Sequence, residues 1–421
     1  MNNTTLQANV RRDISDSLSY CRYTRPCESI PDLDFIHQGI ERVLHHYKSG
    51  REFIQEFQEQ PNAPELSRST YFNTLHSERR CNLIIEAETV FYKQTCESFQ
   101  KSGIDHLKKF PELDGYNIVA WDGHYRHHSC HASRDDKGNY RAVGGIVGMN
   151  LRYGLVQRLV TTDFSTSKTN EIKAFKKAFT IEECKKSKKT INVLDMAYVD
   201  TTFWETCKAM NGNGMYVITL MKDNLKPIEE TPLEFDREHP YNVGIQSQSE
   251  VKFASGGKFI KIEYTDPETE KTYTYLTTVK GVPPGLIAYL YLWRWKIEKV
   301  FDVFKNKFYE KKAWADGKVA NDIQMSLIAM AYNILLKTKD LDLAKEGVTE
   351  TKLEEKRSKQ IQVRKVTAKA KGRRLNPLAE IPHKLFQMSA QFIRCFRNQM
   401  AIGTLWTDAV GHFRLALSRY L

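Results

Sequence analysis

The segment YLWRWKIEKVFDVFKNKF, residues 291–308, contains neither glycine nor proline, and Pro283 and Pro284 lie just before it. This composition predicts a helix of about five turns. At about 100° per residue, two neighbouring stripes separate. The apolar stripe, which predicts a core contact, contains Trp293, Ile297, Val300, Phe301, Phe304 and Phe308. The polar stripe, which is also typical of a solvated face with i,i+4 ion pairs, contains Tyr291, Arg294, Glu298 and Lys305.

The composition describes a globular protein that suits a polyanionic partner. The 421 residues are enough for two or three domains, and 63 Lys and Arg against 51 Asp and Glu give a net charge of +12. Such an excess is most often matched by nucleic acid. The eight cysteines include no CxxC pair, which favours a reducing compartment. No run of eighteen apolar residues and no signal-peptide core occur, so we expect a cytoplasmic protein that neither leaves the cell nor spans a membrane.

The N-terminal region, residues 1–110, has the apolar spacing of helices. Within it, the sequence SRSTYFNTLH begins at Ser67. Ser67 or Ser69 predicts the N-cap of a short helix that presents Arg68 and Tyr71, as the recognition helix of a helix-turn-helix unit would. Any amphipathic surface helix has the same pattern. We therefore treat Arg68 and Tyr71 as candidate DNA contacts, with the surface-helix alternative left open.

Residues 115–222 predict a mixed sheet flanked by helices, which is an α/β architecture. The order of apolar runs is β-β-β-α-β-α-β. The first strand, NIVAWDG, ends in Asp122, and the fourth, KTINVLDMAYVD, ends in Asp195.

The remaining chain divides by composition into four further regions. Alternating residues with turn signals predict an antiparallel β insertion, and apolar helices follow it. A basic linker then contains ten Lys or Arg between residues 352 and 374, which suits either phosphate contacts or simple solvation. The predicted boundaries are 223–282 for the insertion, 283–340 for the core helices, 341–380 for the basic linker and 381–421 for a helical C-terminal region.

Three acids stand out by position: Asp122 and Asp195 at strand ends, and Glu298 on the quoted helix. Three carboxylates brought together repel one another unless a divalent cation neutralises them. Oxygen ligands of this kind suit Mg²⁺ or Mn²⁺, and a pair of such ions can activate an attacking water or 3′-hydroxyl. Aspartates at strand ends are also common turn formers, so position alone leaves both interpretations open.

The spacing of Tyr291, Arg294, Glu298 and Lys305 matches the signature Y-(2)-R-(3)-E-(6)-K residue for residue. In this respect the chain resembles the DDE transposases of bacterial insertion sequences, in the family named for insertion sequence four. The DG that begins at Asp122 and the LDMAY around Asp195 are similar to that family's first and second acidic motifs. The predicted β insertion also lies where the family places one.

The resemblance implies an RNase H-like catalytic core in a prokaryotic protein. Asp122, Asp195 and Glu298 would be both the catalytic residues and the ligands of Mg²⁺ or Mn²⁺, with two ions in each active site. Tyr291, Arg294 and Lys305 would contact DNA near the cleavage point. The implied partners are double-stranded DNA, both the element's terminal inverted repeats and the target, and a second copy of the chain in a homodimer on DNA.

The sequence also departs from the family pattern. Relatives that cut through a hairpin intermediate stack a flipped base on a tryptophan of the β insertion, whereas residues 205–292 contain none. The aromatic candidates for stacking or for sheet packing are Phe253, Phe259, Tyr264, Tyr273 and Tyr275. His124 replaces a small hydroxyl residue, and Met196 and Ala197 stand where Arg-Gly is frequent. The hairpin route is therefore in doubt, although all three carboxylates remain.

Two alternatives remain open from the sequence. The loop after Gly123 contains potential zinc ligands at close spacing, or it is a basic active-site loop; these ligands are His124, His127, His128, Cys130 and His131. At the level of the whole protein, the alternative to an enzyme is a catalytically inactive or domesticated DNA-binding protein that derives from a transposase.

Overall fold

The computed structural model describes residues 4–27, 29–45, 49–59, 67–162, 170–208, 213–349, 351–372 and 388–419. Its helices and strands, in chain order, are α1 (Leu6–Leu18), α2 (Asp32–Leu44), α3 (Gly50–Gln58), α4 (Arg68–Thr74), α5 (Glu78–Lys101), β1 (Asn117–Arg126), β2 (Val143–Asn150), β3 (Val156–Thr161), α6 (Glu171–Ala178), α7 (Ile181–Lys186), β4 (Thr190–Val193), α8 (Thr201–Cys207), β5 (Met215–Leu220), β6 (Glu229–Pro232), β7 (Ile245–Lys252), β8 (Lys258–Thr265), β9 (Thr272–Thr277), α9 (Pro284–Arg294), α10 (Lys296–Asp302), α11 (Lys318–Lys337), α12 (Leu343–Lys345), α13 (Thr351–Ala370), α14 (Ala390–Ala401) and α15 (Trp406–Arg419).

One mixed sheet organises the described residues, in the order β3-β2-β1-β4-β5-β9-β8-β7-β6. The central strands β1, β4 and β5 are parallel, and the other pairs are antiparallel. Helices flank this sheet, which confirms the predicted α/β architecture. The predicted insertion is antiparallel, and it extends the same sheet because β9 pairs with β5. The predicted domain boundaries themselves remain predictions.

Helix α11 connects the N-terminal helices to the sheet. Almost every side chain from Ala320 to Leu336 is buried, and the helix packs against α5, α2 and β3. Among the described residues, the span Lys318–Lys345 is apolar and long enough to cross a membrane, but its most apolar part is almost entirely buried in the fold. It is therefore the core helix of a globular protein, and the N-terminal helices share one apolar core with the central sheet.

Polar side chains of α11 fix the edge strand β3. Asn333 accepts from the amide of Val156 at 2.9 Å and donates to the carbonyl of the same residue at 2.7 Å. Asp322 accepts from the guanidinium of Arg158 at 2.9 Å and from the hydroxyl of Thr161 at 2.6 Å. A helix thus covers a strand edge whose backbone groups would otherwise be open to pairing with another chain.

The predicted five-turn helix over residues 291–308 is wrong as a single element. Helix α9 ends at Arg294, Trp295 forms a turn, α10 follows, and residues Val303–Lys307 form a π-helical turn. In that turn the amide of Phe308 bonds to the carbonyl of Val303 at 2.9 Å. The wider turn leaves the rings of Phe304 and Phe308 stacked in the core, with centroids 6.2 Å apart. The predicted apolar stripe is buried throughout, as expected.

The predicted basic linker is in part a helix, because α13 spans half of it. Residues 350 and 373–380 of that linker, and residues 381–387 of the predicted C-terminal region, lie outside the described part of the chain. The predicted helical C-terminal region is confirmed in α14, which packs against the N-terminal helix α1, and in α15, which packs against α14. The amide of Trp406 donates to the carbonyl of Thr4 at 2.8 Å, so the start of α15 contacts the start of the described chain.

Because the carboxyl of Glu88 on α5 is buried, we expect the free energy of unfolding to fall as the pH rises. Burial raises the pKa of Glu88 to about 7, and the side chain accepts a hydrogen bond from the amide of Arg158 at 3.2 Å. Because the folded state holds this proton more tightly than the unfolded state, the contribution is full below about pH 4.5 and is lost as the pH rises through about 7. Between pH 5 and 8, we expect the free energy of unfolding of the wild type to fall by roughly 1–3 kcal/mol more than that of Glu88→Gln.

Urea unfolding of both proteins at several pH values measures this effect. Glu97→Gln, a change on the same helix, serves as the control. Parallel pH profiles for the wild type and Glu88→Gln would contradict the assignment.

Candidate active site

The strand register brings Asp122 and Asp195 to the same edge of the sheet. Strands β1 and β4 are parallel, and Ala120 lies opposite Val193. Two residues further along the chain in each case come Asp122 and Asp195. Asp122 lies inside β1 and not at its end as predicted, because the strand continues to Arg126, whereas Asp195 follows the end of β4. Neighbouring strands are about 4.8 Å apart, so the two aspartates lie side by side. The charge of Asp195 accordingly contributes to raising the pKa of Asp122.

Local hydrogen bonds orient both aspartates. Oδ1 of Asp122 accepts from the amide of Gly123 at 2.8 Å, and Oδ1 of Asp195 accepts from the amide of Ala197 at 2.6 Å. Both residues are half-buried. Burial is the largest cause of the raised pKa of Asp122, and the neighbouring guanidinium of Arg294 opposes it.

Helix α10 crosses β1 next to Asp122. The buried ring of His124 packs against Phe301, with centroids 4.9 Å apart, and against Phe304, at 5.3 Å. Burial drives the pKa of His124 well below its ordinary value, so this imidazole is neutral. Glu298 is one turn before Phe301 and is exposed. The aromatic contact thus fixes the helix that carries Glu298 against the strand that carries Asp122.

Arg294 forms an ion pair with Asp122. Its Nη1 donates to Oδ2 of Asp122 at 3.0 Å, and its side chain is only 7% exposed. Tyr291 lies beneath the guanidinium, 5.4 Å from ring centroid to Cζ, and its ring packs against Tyr275. Lys305 lies in the π-helical turn and is exposed. The residues of the Y-R-E-K pattern are thus divided between two buried groups and two exposed groups.

Of the two candidate DNA contacts in the N-terminal region, one is exposed and the other is buried. Ser67 caps α4 as predicted, with its hydroxyl accepting from the amide of Thr70 at 3.1 Å, and Arg68 is exposed. Tyr71 is buried: its hydroxyl accepts from Arg42 at 2.8 Å and its ring packs against Phe53. The predicted DNA contact of Tyr71 therefore does not fit this structure, because its side chain belongs to the core. The contact of Arg68 stays a prediction.

The aromatic residues of the β insertion pack within the sheet. Phe253, Phe259, Tyr264 and Tyr275 are buried. Tyr273 is partly exposed, and its ring stacks on Tyr275 with centroids 6.0 Å apart. Of the five candidates, Tyr273 is thus the one with an accessible ring.

The histidines and cysteine after Gly123 do not form a metal group in the described residues. His124 is enclosed by phenylalanines, as described above. His128 stacks on Tyr140 with centroids 3.5 Å apart, and Cys130 accepts from Nζ of Lys312 at 2.8 Å. The side chains therefore point to different partners, and the zinc alternative is not supported.

A further acid lies beside the two aspartates. Glu171, the first residue of α6, is close enough that a β-carbon at position 123 would collide with its Oε1. Little in the sequence singles out this residue, because it begins an ordinary amphipathic helix. Its position depends on how α6 packs on the sheet, which spacing alone does not reveal.

The donor chemistry at this edge suits a hard divalent cation, since carboxylate oxygens come from β1, the end of β4 and α10. Among the described residues, however, no three acidic, histidine or cysteine side chains form a group compact enough to hold an ion. Arg294 pairs with one oxygen of Asp122. The ligand types therefore suit a divalent cation, but the carboxylates are not grouped closely enough in this structure to hold one.

The mixed sheet, its flanking helices and the two neighbouring aspartates fit an RNase H-like fold. The family model for the transposase DDE domain matches residues 117–334, which is more than half of the chain. The chain therefore belongs to the DDE transposase family, whose members are polynucleotidyl transferases or endonucleases and generally use divalent metals. A search of curated proteins found no individual match.

Proposed function

We propose that this protein is a DNA transposase of the insertion sequence four group, which binds the ends of its element and catalyses divalent-metal-dependent strand cleavage and strand transfer. The observation that carries the proposal is the alignment of Asp122 and Asp195 on neighbouring parallel strands, with α10 and Glu298 crossing beside them. The Y-R-E-K spacing supports the narrower group.

In this proposal, Asp122, Asp195 and Glu298 hold one or two Mg²⁺ or Mn²⁺ ions. Such ions supply the positive charge that activates a water or 3′-hydroxyl and stabilises the leaving oxygen. Arg294 leaves Asp122 and contacts a DNA phosphate, because a guanidinium binds phosphate in the same bidentate manner as carboxylate. Lys305 contacts the same strand, and Arg68 contacts the end sequence from α4. Tyr291, whose side chain is buried beneath Arg294, supports that guanidinium and does not reach the DNA itself. A homodimer on DNA brings two ends together.

The direct test uses DNA that carries the inverted repeats flanking the gene. We expect nicking at the repeat ends with Mg²⁺ or Mn²⁺ and none with EDTA. The ion pair between Arg294 and Asp122, together with the separated carboxylates, favours one second candidate, a DNA-binding protein without catalysis. Binding to the repeats with no cleavage under either metal would overturn the enzyme proposal in favour of that candidate.

Helix α13 adds a basic surface to the proposed DNA contacts. Its described side chains are mostly exposed, and none of them is buried. An ion pair of 2.6 Å between Arg364 and Glu268 connects it to the turn between β8 and β9. A helix that is polar on all sides gains little from packing, so a polyanionic partner is the natural source of further stabilisation.

Replacing three exposed lysines of α13 with glutamine, at positions 356, 359 and 369, is expected to lower the slope of log affinity against log salt by roughly two to three. The reason is that each phosphate contact releases counterions. The matched control replaces Lys93, Lys101 and Lys108, which are also exposed. Filter binding or fluorescence anisotropy over a salt series gives both slopes, and equal slopes for the two triple variants would contradict a specific role for α13.

A further inference from the structure

We propose that Cys130 and Lys312 are an oxidation-sensitive pair, in which a hydroperoxide oxidises the sulfur of Cys130 and Nζ of Lys312 then closes a covalent sulfur–nitrogen cross-link. The two residues are 182 positions apart in the chain, and neither belongs to the acidic residues or the DNA contacts described above. Both partners of the new bond are side chains of this protein, and the pair reacts whether or not the protein cuts DNA.

The two reactive atoms already lie in contact. Nζ of Lys312 is 2.8 Å from Sγ of Cys130, and both side chains are exposed. All eight cysteines lie within the described residues, and Cys130 is the one that is exposed, because the others are buried or partly buried. A dissolved oxidant therefore reaches this sulfur more readily than the other cysteines.

Main-chain contacts hold Lys312 in this position. Just after β1, the amide of His127 donates to the carbonyl of Lys311 at 2.8 Å, and its carbonyl accepts from the amide of Ala313 at 2.8 Å. The carbonyl of Lys312 accepts from Nε2 of the buried Gln324 at 3.0 Å. The backbone at this lysine is thus attached to the chain beyond β1 on one side and to α11 on the other.

The loop that carries Cys130 is held on both sides of the sulfur. Before it, the ring of His128 stacks on Tyr140 with centroids 3.5 Å apart. After it, the amide of Ser133 donates to Oδ2 of Asp316 at 3.0 Å, which connects the loop to the segment that leads into α11. These contacts keep the sulfur beside the lysine, and a cross-link there would tie the loop after β1 to that segment.

The electrostatic environment of the sulfur favours its oxidation. The hydrogen bond and the positive charge of Lys312 lower the pKa of the Cys130 thiol, and the charge of Arg51 adds to this effect. The thiolate is the form that attacks electrophiles, and exposed cysteines with a lowered pKa are the ones most readily oxidised. The lysine therefore activates the sulfur and also supplies the second partner of the bond.

The chemistry takes two steps when the oxidant is hydrogen peroxide. The Cys130 thiolate attacks one oxygen of the peroxide, the O–O bond breaks, and a sulfenic acid forms while hydroxide leaves and takes up a proton as water. The sulfur loses two electrons and the peroxide gains them. Nζ of Lys312, after giving one proton to solvent, attacks the sulfur. The S–N bond forms, the S–O bond breaks, and the hydroxyl leaves as water with a proton from the nitrogen.

The test treats the full-length protein with hydrogen peroxide, blocks the remaining thiols and identifies the peptides by mass spectrometry. We expect the peptides of Cys130 and Lys312 to be joined, at a mass two hydrogens below their sum, and dithiothreitol to separate them by reducing the S–N bond. Cys130→Ser should lose the cross-link completely. Lys312→Arg keeps the positive charge beside the sulfur without the amine, so we expect sulfenic acid at Cys130 and no cross-link.

Lys311→Arg, the same change at the neighbouring exposed lysine, is the matched control and should give as much cross-link as the wild type. All three substitutions are at exposed positions, so we expect unchanged melting temperatures in the reduced state. Oxidation of Cys130 in the wild type that ends at sulfenic or sulfinic acid, with no joined peptides, would overturn the proposal. So would a cross-link that persists in Cys130→Ser, because another sulfur would then be its source.

Discussion

Glu298→Ala is expected to abolish metal-dependent cleavage of the element's ends while leaving end binding close to that of the wild type. Removing a ligand takes away charge stabilisation worth several kcal/mol in the transition state, and each 1.36 kcal/mol corresponds to a factor of about ten in rate. We therefore expect cleavage to fall by roughly a thousandfold or more. Because Glu298 is exposed and its helix is held by Phe301 and Phe304, the fold should not change.

A control on the same helix separates this role from surface charge. Asp302 lies one turn further along α10 and accepts from Asn306 at 2.7 Å. Asp302→Asn removes the same charge at a position away from the sheet edge, and its cleavage rate should stay within a few-fold of the wild type. Cleavage and gel-shift assays on the same DNA measure both properties, and a Glu298→Ala protein that still cuts would exclude Glu298 from the site.

Gly285→Ala is expected to destabilise the protein by about 3 kcal/mol or more, although alanine is normally the better helix former. Gly285 is the second residue of α9, and a β-carbon there would collide with the backbone carbonyl of Tyr241. Its amide also donates to Oδ1 of Asn242 at 3.0 Å. Because the β-carbon would collide with main-chain atoms of Tyr241, the collision can be relieved only by a shift of that backbone or of the start of α9.

The consequence of Gly285→Ala should extend to the active site. Displacing the start of α9 moves Arg294, ten residues away at the end of the same helix, relative to Asp122. Gly411→Ala on α15 is the control, because a β-carbon there meets no atom within 4 Å; it should stabilise by about 0.5–1 kcal/mol. Urea unfolding measures both effects. If both substitutions raised the free energy of unfolding, or both lowered it, the close approach at Gly285 would be contradicted.

Patterns along the chain were sufficient to predict a mixed sheet with flanking helices. Apolar runs predicted the order of strands and helices along the chain, but they did not show that β1 continues to Arg126 and so places Asp122 inside the strand. The matching spacing on the quoted helix indicated the family, because four residue types at fixed intervals carry more information than amphipathicity does. The buried apolar stripe followed from the same periodicity.

The features that escaped prediction depend on contacts between distant segments. The turn at Trp295 and the π-helical turn after α10 arise from packing on β1 and α11, and a helical wheel drawn from sequence assumes a straight helix. Tyr71 has the pattern of a surface residue, but Arg42 and Phe53, from two other helices, bury it. Glu171 likewise becomes visible only when α6 is placed on the sheet.

The burial of α11 has a consequence for the order in which the protein matures on the ribosome. Helices α2 and α5 are synthesised more than 200 residues before the helix that covers their apolar faces. During that interval, at about 5–20 residues per second, a nascent chain has no partner for those faces and is exposed to aggregation. Glu298, the third carboxylate of the proposed active site, is synthesised just ahead of α11, so the proposed site and the closed hydrophobic core are completed together.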